Sequence, residues 1–128
     1  MDAFFLDPIW LIDQIGNRLK KEILMTDLEK RKYEELARIS KALAHASRLY
    51  IIHKLDEQEY CVKELTELIG ADISTVSKHL SILKNAGIII DEKRGNCVYY
   101  RLQCQCVLSM FSCLTNVIDS NKNKINSI

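Results

Sequence analysis

A mainly α-helical chain carrying one small β-hairpin is what this sequence predicts, on three observations. Apolar residues recur at three- and four-residue spacing through most of the 128 positions. A short helix closed by glycine is followed, after a tight turn, by a second amphipathic helix, together spanning 62–87. The stretch 88–102 then switches to β-branched and aromatic residues around a charged tip. With 48% hydrophobic residues, one proline and four glycines, the chain suits one compact core, so 1–128 is read as a single domain.

Asp7 followed by Pro8 is a helix-start signal, because proline at the first helical position gives up no needed donor and aspartate can cap free amides. The first helix then runs to about Leu24, with Ile12, Ile15, Leu19 and Ile23 on one stripe, and 1–32 forms a helical extension. Thr26-Asp27-Leu28-Glu29 has the form of a capping box and opens a second helix to about Ala44, with Leu36, Ile39 and Leu43 inward. A third helix, about Ser47 to Leu55, carries Leu49, Ile52 and Leu55. Val62 to Ile69 is short and amphipathic and ends at Gly70, whose missing side chain permits a left-handed stop. Asp72 caps the next helix, which turns Ile73, Val76, Leu80 and Leu83 inward and leaves Ser74, Thr75, Ser77, Lys78 and His79 outside or flanking. Gly87 closes it. Ile88-Ile89-Ile90, the tip Asp91 to Asn96, and Cys97 to Leu102 then make a hairpin. A last helix, about Gln105 to Ser120, aligns Val107, Met110, Phe111, Leu114, Val117 and Ile118, and a frayed tail follows it. Helix, turn, helix and hairpin in that order make a winged helix-turn-helix.

The N-terminal apolar run is broken by Asp7, Pro8 and Asp13 and has no basic region before it, so it is not a secretion signal. No apolar stretch nears the roughly 20 residues that cross a bilayer. A cytoplasmic chain with no membrane partner is expected, and its five cysteines are then thiols available for metal or redox chemistry. The formal net charge is +1, but 73–101 holds five basic residues against two acidic ones, so positive charge gathers on the helix-turn-helix and hairpin.

An α-helix fits the major groove of B-DNA, about 12 Å wide, and short polar side chains let it approach the base edges. Ser74, Thr75, Ser77 and His79 are such side chains, Lys78 adds a cation, and Lys93 and Arg94 at the wing tip can grip backbone or minor groove. The expected partner is duplex operator DNA.

The string ISTVSKHLSILKNAGII, followed by a hairpin ending VYYRL, resembles the ArsR/SmtB family of small winged-helix metalloregulators. Upstream, ALAHASRLYIIHKL is similar to the family's AL-DPTRL-IL-L segment, with Arg48 matching its arginine and His45-Ala46-Ser47 departing from it. The resemblance covers roughly 33–118. It implies a repressor that is a homodimer through its N- and C-terminal helices, with 105–120 as the C-terminal dimerisation helix and two recognition helices meeting successive major grooves. Arg48 joins the DNA-binding set on that ground. The apolar stripes of 8–24 and 105–120, more than one small winged domain can cover, fit the same arrangement.

The cysteines are argued one by one. One subgroup of the family's arsenic sensors has ELCVCDL at the first helix of the motif; here the stretch is EYCVKEL, so Cys61 matches but Lys63 stands where a second thiolate would be, and an ammonium does not ligate a soft ion. Cys61 is read as a small buried residue, and Cys97 is left outside the site. Cys104, Cys106 and Cys113 form C-x-C-x6-C at the wing-to-helix junction, and their placement resembles a subgroup that binds arsenite at the C-terminal helix. Three thiolates suit As(III) or Sb(III), and with a fourth ligand Cd(II), Pb(II) or Zn(II). On one regular helix Cys106 and Cys113 would lie roughly 10 Å apart, so either the helix starts after Cys106 and the chain folds back, or Cys113 comes from the opposite protomer. The expected effector is arsenite, with Cd/Pb/Zn or thiol oxidation as the alternatives. No catalytic residues are expected: there is no C-x-x-C beside a βαβ pattern, no glycine-rich phosphate cradle, and no histidine with a supporting carboxylate near a cysteine.

Overall fold

A computed structural model describes the backbone of residues 3–127 and the side chains of 11–21 and 24–127. Its elements are α1 (Ala3–Ile23), α2 (Asp27–Leu43), α3 (Ala46–Glu57), β1 (Tyr60–Cys61), α4 (Val62–Ile69), α5 (Ile73–Asn85), β2 (Ile89–Arg94), β3 (Cys97–Leu102) and α6 (Val107–Asn126). The chain divides into two compact units, Met1–Ala37 and Arg38–Ile128, with the division inside α2.

In the first unit α1 begins upstream of Pro8, so Asp7 is not its cap. Proline's fixed φ is itself helical, and it costs the helix one backbone bond without forcing a start there. The Asp7 side chain, Ile23 and the apolar run before Leu11 lie outside the described side chains. Leu11, Ile12, Ile15 and Leu19 are exposed, as is Leu36 of α2, which was expected inward. The capping box at the start of α2 is reciprocal. Thr26 N–H donates to the Glu29 carboxylate at 2.9 Å, and Glu29 N–H donates to the Thr26 hydroxyl at 3.2 Å.

The second unit holds the core. Ile51, Ile52 and Leu55 of α3, Leu65 of α4, Val76, Leu80 and Leu83 of α5, Ile88, Ile89 and Val107 form one buried cluster with Ala42 and Leu43. The sheet is three-stranded, in the order β1-β3-β2 and antiparallel throughout. Only the β2–β3 hairpin was expected. β1 is two residues long and pairs Tyr60 with Tyr100 and Cys61 with Tyr99, a contact no local pattern announces. Arg94 pairs with Cys97 across the two-residue turn Gly95-Asn96, where Gly95 has φ 63° as the first position of a II′-type turn requires.

α5 ends in a full Schellman motif. Gly87, at φ 80°, donates to Lys84 O (2.9 Å), and Ile88 N–H donates to Leu83 O (3.1 Å), while both Leu83 and Ile88 are buried. Ile73, expected inward, sits exposed in the first turn of α5. α6 runs to Asn126, so most of the expected frayed tail is helical.

Candidate nucleic-acid interface and thiol site

α4 ends at Gly70 in the left-handed conformation (φ 74°), and the chain turns through Ala71 into Asp72, the N-cap of α5. The Asp72 carboxylate accepts from the Ser74 hydroxyl, from the Thr75 hydroxyl at 2.6 Å and from Thr75 N–H at 3.3 Å. Ser74 first, then Thr75, hold its pKa down to about 2. Ser74 and Thr75 therefore lend their hydrogens to the cap, and their oxygens remain as acceptors toward solvent. Ser77 and Lys78 are exposed, and Lys78 forms no ion pair with another described residue.

His79 is buried, which corrects its placement among the groove-facing residues. It lies three residues after Val76 and four before Leu83, on the helix face that meets the core. Its ring packs on His45 at a centroid distance of 4.4 Å, and its Nδ1 lies 3.3 Å from Nη1 of Arg48. A guanidinium can only donate, so Nδ1 accepts and the proton resides on Nε2. Burial first, then the neighbouring His45 ring and the Arg48 guanidinium, lowers the His79 pKa, and the ring is neutral near pH 7.

Arg48 is likewise committed inside the protein. Its Nε donates to Ala42 O at 2.6 Å and its Nη2 to Lys41 O at 3.4 Å, so it closes the free carbonyl end of α2 while holding His79 of α5. Its position makes it a residue that ties α2, α3 and α5 together. His45, where the chain departs from the family segment, is the cap of α3: its Nδ1 accepts from Ser47 N–H at 3.1 Å. Nothing in the local pattern announced that this ring would also pack on His79.

At the wing tip Lys93 is exposed and forms no ion pair with a described residue. Arg94 is held by Glu59 and Glu92, each at 2.8 Å, and lies over the Tyr99 ring at 5.1 Å. Those carboxylates raise the arginine pKa, and Arg94 in turn lowers that of Glu92. A salt bridge of 2.9 Å from Lys84 to Asp91 ties the base of the wing to α5.

Beyond the wing, Cys104 and Cys106 are joined through their sulfurs, with Cα atoms 5.5 Å apart. α6 starts at Val107 with Cys106 as its cap, so the helix does begin after Cys106. Cys113 does not join them: it is an exposed free thiol on α6, and among the described residues no group of three His, Cys, Asp or Glu within one chain could hold a metal ion. Cys61 is buried, and Cys97 is half-buried in β3. No helix among the described residues is long and apolar enough to cross a membrane.

Residues 45–91 match the family model described as "Bacterial regulatory protein, arsR family". A cadmium resistance transcriptional regulatory protein CadC homolog of Staphylococcus aureus is 39% identical over 87 residues, which are 67% of this chain and 68% of the relative. The chain belongs to the ArsR family. Family members are transcriptional regulators, not enzymes. The arsenic resistance transcriptional regulator ArsR1 of Pseudomonas putida is 38% identical over 66 residues, 52% of each chain. Among solved structures, a homodimeric winged helix-turn-helix DNA-binding domain from Mycobacterium bovis, described as a possible ArsR-family regulator, superposes with a TM-score of 0.65. It is 29% identical and covers 75% of this chain and 89% of that one. In this ArsR-family chain α4 and α5 are thus the helix-turn-helix and β2–β3 the wing.

Proposed function

We propose that this ArsR-family chain is a homodimeric repressor that grips operator DNA through α5 and the wing and is released by thiol chemistry at Cys104, Cys106 and Cys113. The observation that carries the DNA reading is the exposed edge of α5. Ser77 and Lys78 project from a helix whose opposite face is anchored by Val76, Leu80 and Leu83, so the helix can enter a major groove as a rigid body. Lys93 offers a phosphate contact from the wing. Ser74 and Thr75 read base edges as acceptors, because their hydroxyls already donate to the Asp72 carboxylate.

Dimerisation is supported by α6, where Met110, Leu114, Val117 and Ile118 form an exposed apolar stripe that water disfavours. Cys113 is three residues from Met110 and four from Val117, at the margin of that stripe. Two α6 helices packed across a twofold axis bring the Cys113 of one protomer toward the Cys104–Cys106 pair of the other.

Arsenite is the first effector. A dithiol reductant first cleaves the Cys104–Cys106 bond to two thiols, itself leaving as a disulfide; three thiols and As(OH)3 then give a tris-thiolate arsenic centre and three waters, with Cys104 and Cys106 from one protomer and Cys113 from its partner. Closing that centre shifts α6 and, through the seam, the spacing of the two α5 helices, with a coupling of about 1–3 kcal/mol. Sb(III) has the same chemistry. Cd(II), Pb(II) or Zn(II) would need a fourth ligand, and the cadmium-resistance relative keeps that option among the test arms. A second reading is favoured by the Cys104–Cys106 bond: the two thiols lose two electrons and two protons to peroxide, which leaves as water, and the disulfide is the released state.

The test uses a duplex selected by this protein from a random-sequence pool and labelled for fluorescence anisotropy. The complex is titrated with As(III), Cd(II), Zn(II) and peroxide in parallel. Dissociation by As(III), and its loss in Cys104→Ser, Cys106→Ser and Cys113→Ser, is the expected result. Release by peroxide alone, reversed by dithiol without a chelator, would select the redox reading. Release that persists without all three cysteines would remove both.

A further inference from the structure

The wing tip carries two neighbouring cations whose surroundings differ. Lys93 is exposed and forms no ion pair with a described residue, whereas Arg94 meets Glu59, Glu92 and the Tyr99 ring. Arg94 and Glu92 lie two residues apart on β2 and so share one face of the hairpin. Tyr99 of β3 stands opposite Glu92 on that face. With its guanidinium carbon 5.1 Å from the centre of the Tyr99 ring, Arg94 folds back along the sheet. Nη1 donates to Glu59 and Nη2 to Glu92, each at 2.8 Å, so a phosphate could reach this arginine only by breaking two charge-assisted hydrogen bonds and by approaching two carboxylates.

The two carboxylates differ in what they hold. Glu92 is on the same strand as Arg94, so that contact stays inside the wing. Glu59 belongs to the link between α3 and β1, so that contact leaves it. On the opposite face Asp91 takes Lys84 of α5 at 2.9 Å. The wing is thus tied to the body of the domain from both faces, once to α5 and once to the α3–β1 link. Such ties matter most near the tip. β1 pairs only with Tyr99 and Tyr100, so Cys97 and Val98 pair with β2 alone, and this end of the wing is a two-stranded ribbon with little stability of its own.

We propose that Arg94 and Glu59 form a latch that sets the angle of the wing, so that Arg94 is a positioning residue and Lys93 is the phosphate contact it presents. This rests on the DNA-binding reading above, and it reverses the role that charge alone gives Arg94 in the sequence. An exposed ion pair adds little to folding stability. Its effect here falls on binding, because the latch orders the tip before DNA arrives.

The test measures the affinity of the full chain and its variants for the selected duplex and for a scrambled duplex as a function of KCl, with a hydroxyl-radical footprint of each complex on the selected duplex. Glu59→Ala removes the anchor. Losing a negative charge would by itself tighten DNA binding, yet this variant should bind the selected duplex roughly three- to tenfold more weakly. Protection on the wing flank of the footprint should fade while that under α5 stays. Arg94→Gln should behave in the same way, and the double variant should lose no more than either single one. In all three the slope of log K against log[salt] should match the parent, whereas Lys93→Gln should make it shallower by about one on both duplexes. Arg94→Lys keeps a cation for Glu59 and should recover part of the loss, and thermal melts of all the variants should match the parent. Tighter binding by Glu59→Ala, or a slope shallower by about one in Arg94→Gln, would make Arg94 a phosphate contact that Glu59 restrains, and the latch falls. Losses that add in the double variant, or a parent-like affinity and footprint in Glu59→Ala, overturn it as well. Each of these results leaves the α5 edge standing, which Lys78→Ala then checks separately. No binding of the parent chain to any duplex sinks both readings.

Discussion

α5 and α6 are both amphipathic, yet their apolar stripes meet different fates. In α5, Val76, Leu80 and Leu83 are all 0% exposed, locked against α3, α4 and the sheet. In α6 only Val107 is buried, and Met110, Leu114, Val117 and Ile118 stand 44–54% exposed. The same spacing therefore serves two purposes. One stripe fixes the helix in the core, and the other stays exposed, the surface that the proposed dimer seam would cover.

The contrast is broken most severely from the α6 side. Leu114→Glu places a charge in the proposed seam and removes nothing from the core. Sedimentation should show a monomer with unchanged circular dichroism, and operator affinity should fall by roughly 10²- to 10⁴-fold as bivalent binding is lost. A dimer that survives this change would assign the α6 stripe another role. Next in size, Leu80→Ala opens a cavity beneath α5 and should destabilise the fold by about 2–5 kcal/mol, read as a lower Tm and denaturant midpoint. The matching truncation Met110→Ala in α6 should cost the isolated protomer far less. Lys78→Ala with Ser77→Ala leaves packing alone and should weaken discrimination between the selected and scrambled duplexes by about 1–3 kcal/mol, with the Tm unchanged.

The smallest effect sharpens the α5 side through pH. The His79 pKa is lowered in the folded state, so the unfolded chain binds more protons between the lowered value and the ordinary histidine range near 6.5. Stability should be at its plateau above that range and fall as pH drops from about 6.5 toward the lowered folded value. His79→Gln, which can still accept from Arg48, should flatten this slope in a set of urea melts between pH 5 and pH 8.

Much of the second unit was legible from local chemistry. Gly70, Asp72, Gly87 and Gly95 act within a few residues of themselves, so the turn, the two helix ends and the wing could be located from the amino acids alone. The capping box at Thr26 and Glu29 is equally local. What escaped has long sequence separation. β1 needs Tyr99 and Tyr100, far along the chain, and a two-residue strand carries no periodicity. His79 has a polar side chain on an inward face, and only the approach of His45 and Arg48 makes that burial tolerable. Ile73 reverses the error, an apolar residue left at the rim of α5.

The candidate site divides along the same line. Ser77, Lys78 and Lys93 stand exposed where their spacing put them. Arg48 and Arg94, equally basic in the sequence, are drawn inward or sideways, Arg48 by carbonyls and Arg94 by carboxylates. The cysteine cluster separates too: the pair two residues apart comes together, while Cys113, two helical turns along α6, does not.

From the order of residues alone come the helices, their stops, the hairpin and the family resemblance, because each rests on bonds between near neighbours or on a repeating pattern. Folding in three dimensions settles which cations remain free, which histidine is dry, and which apolar stripe is left uncovered. Those outcomes depend on the carbonyls, carboxylates and rings that distant segments deliver, and a side chain's charge or hydrophobicity does not name its neighbours.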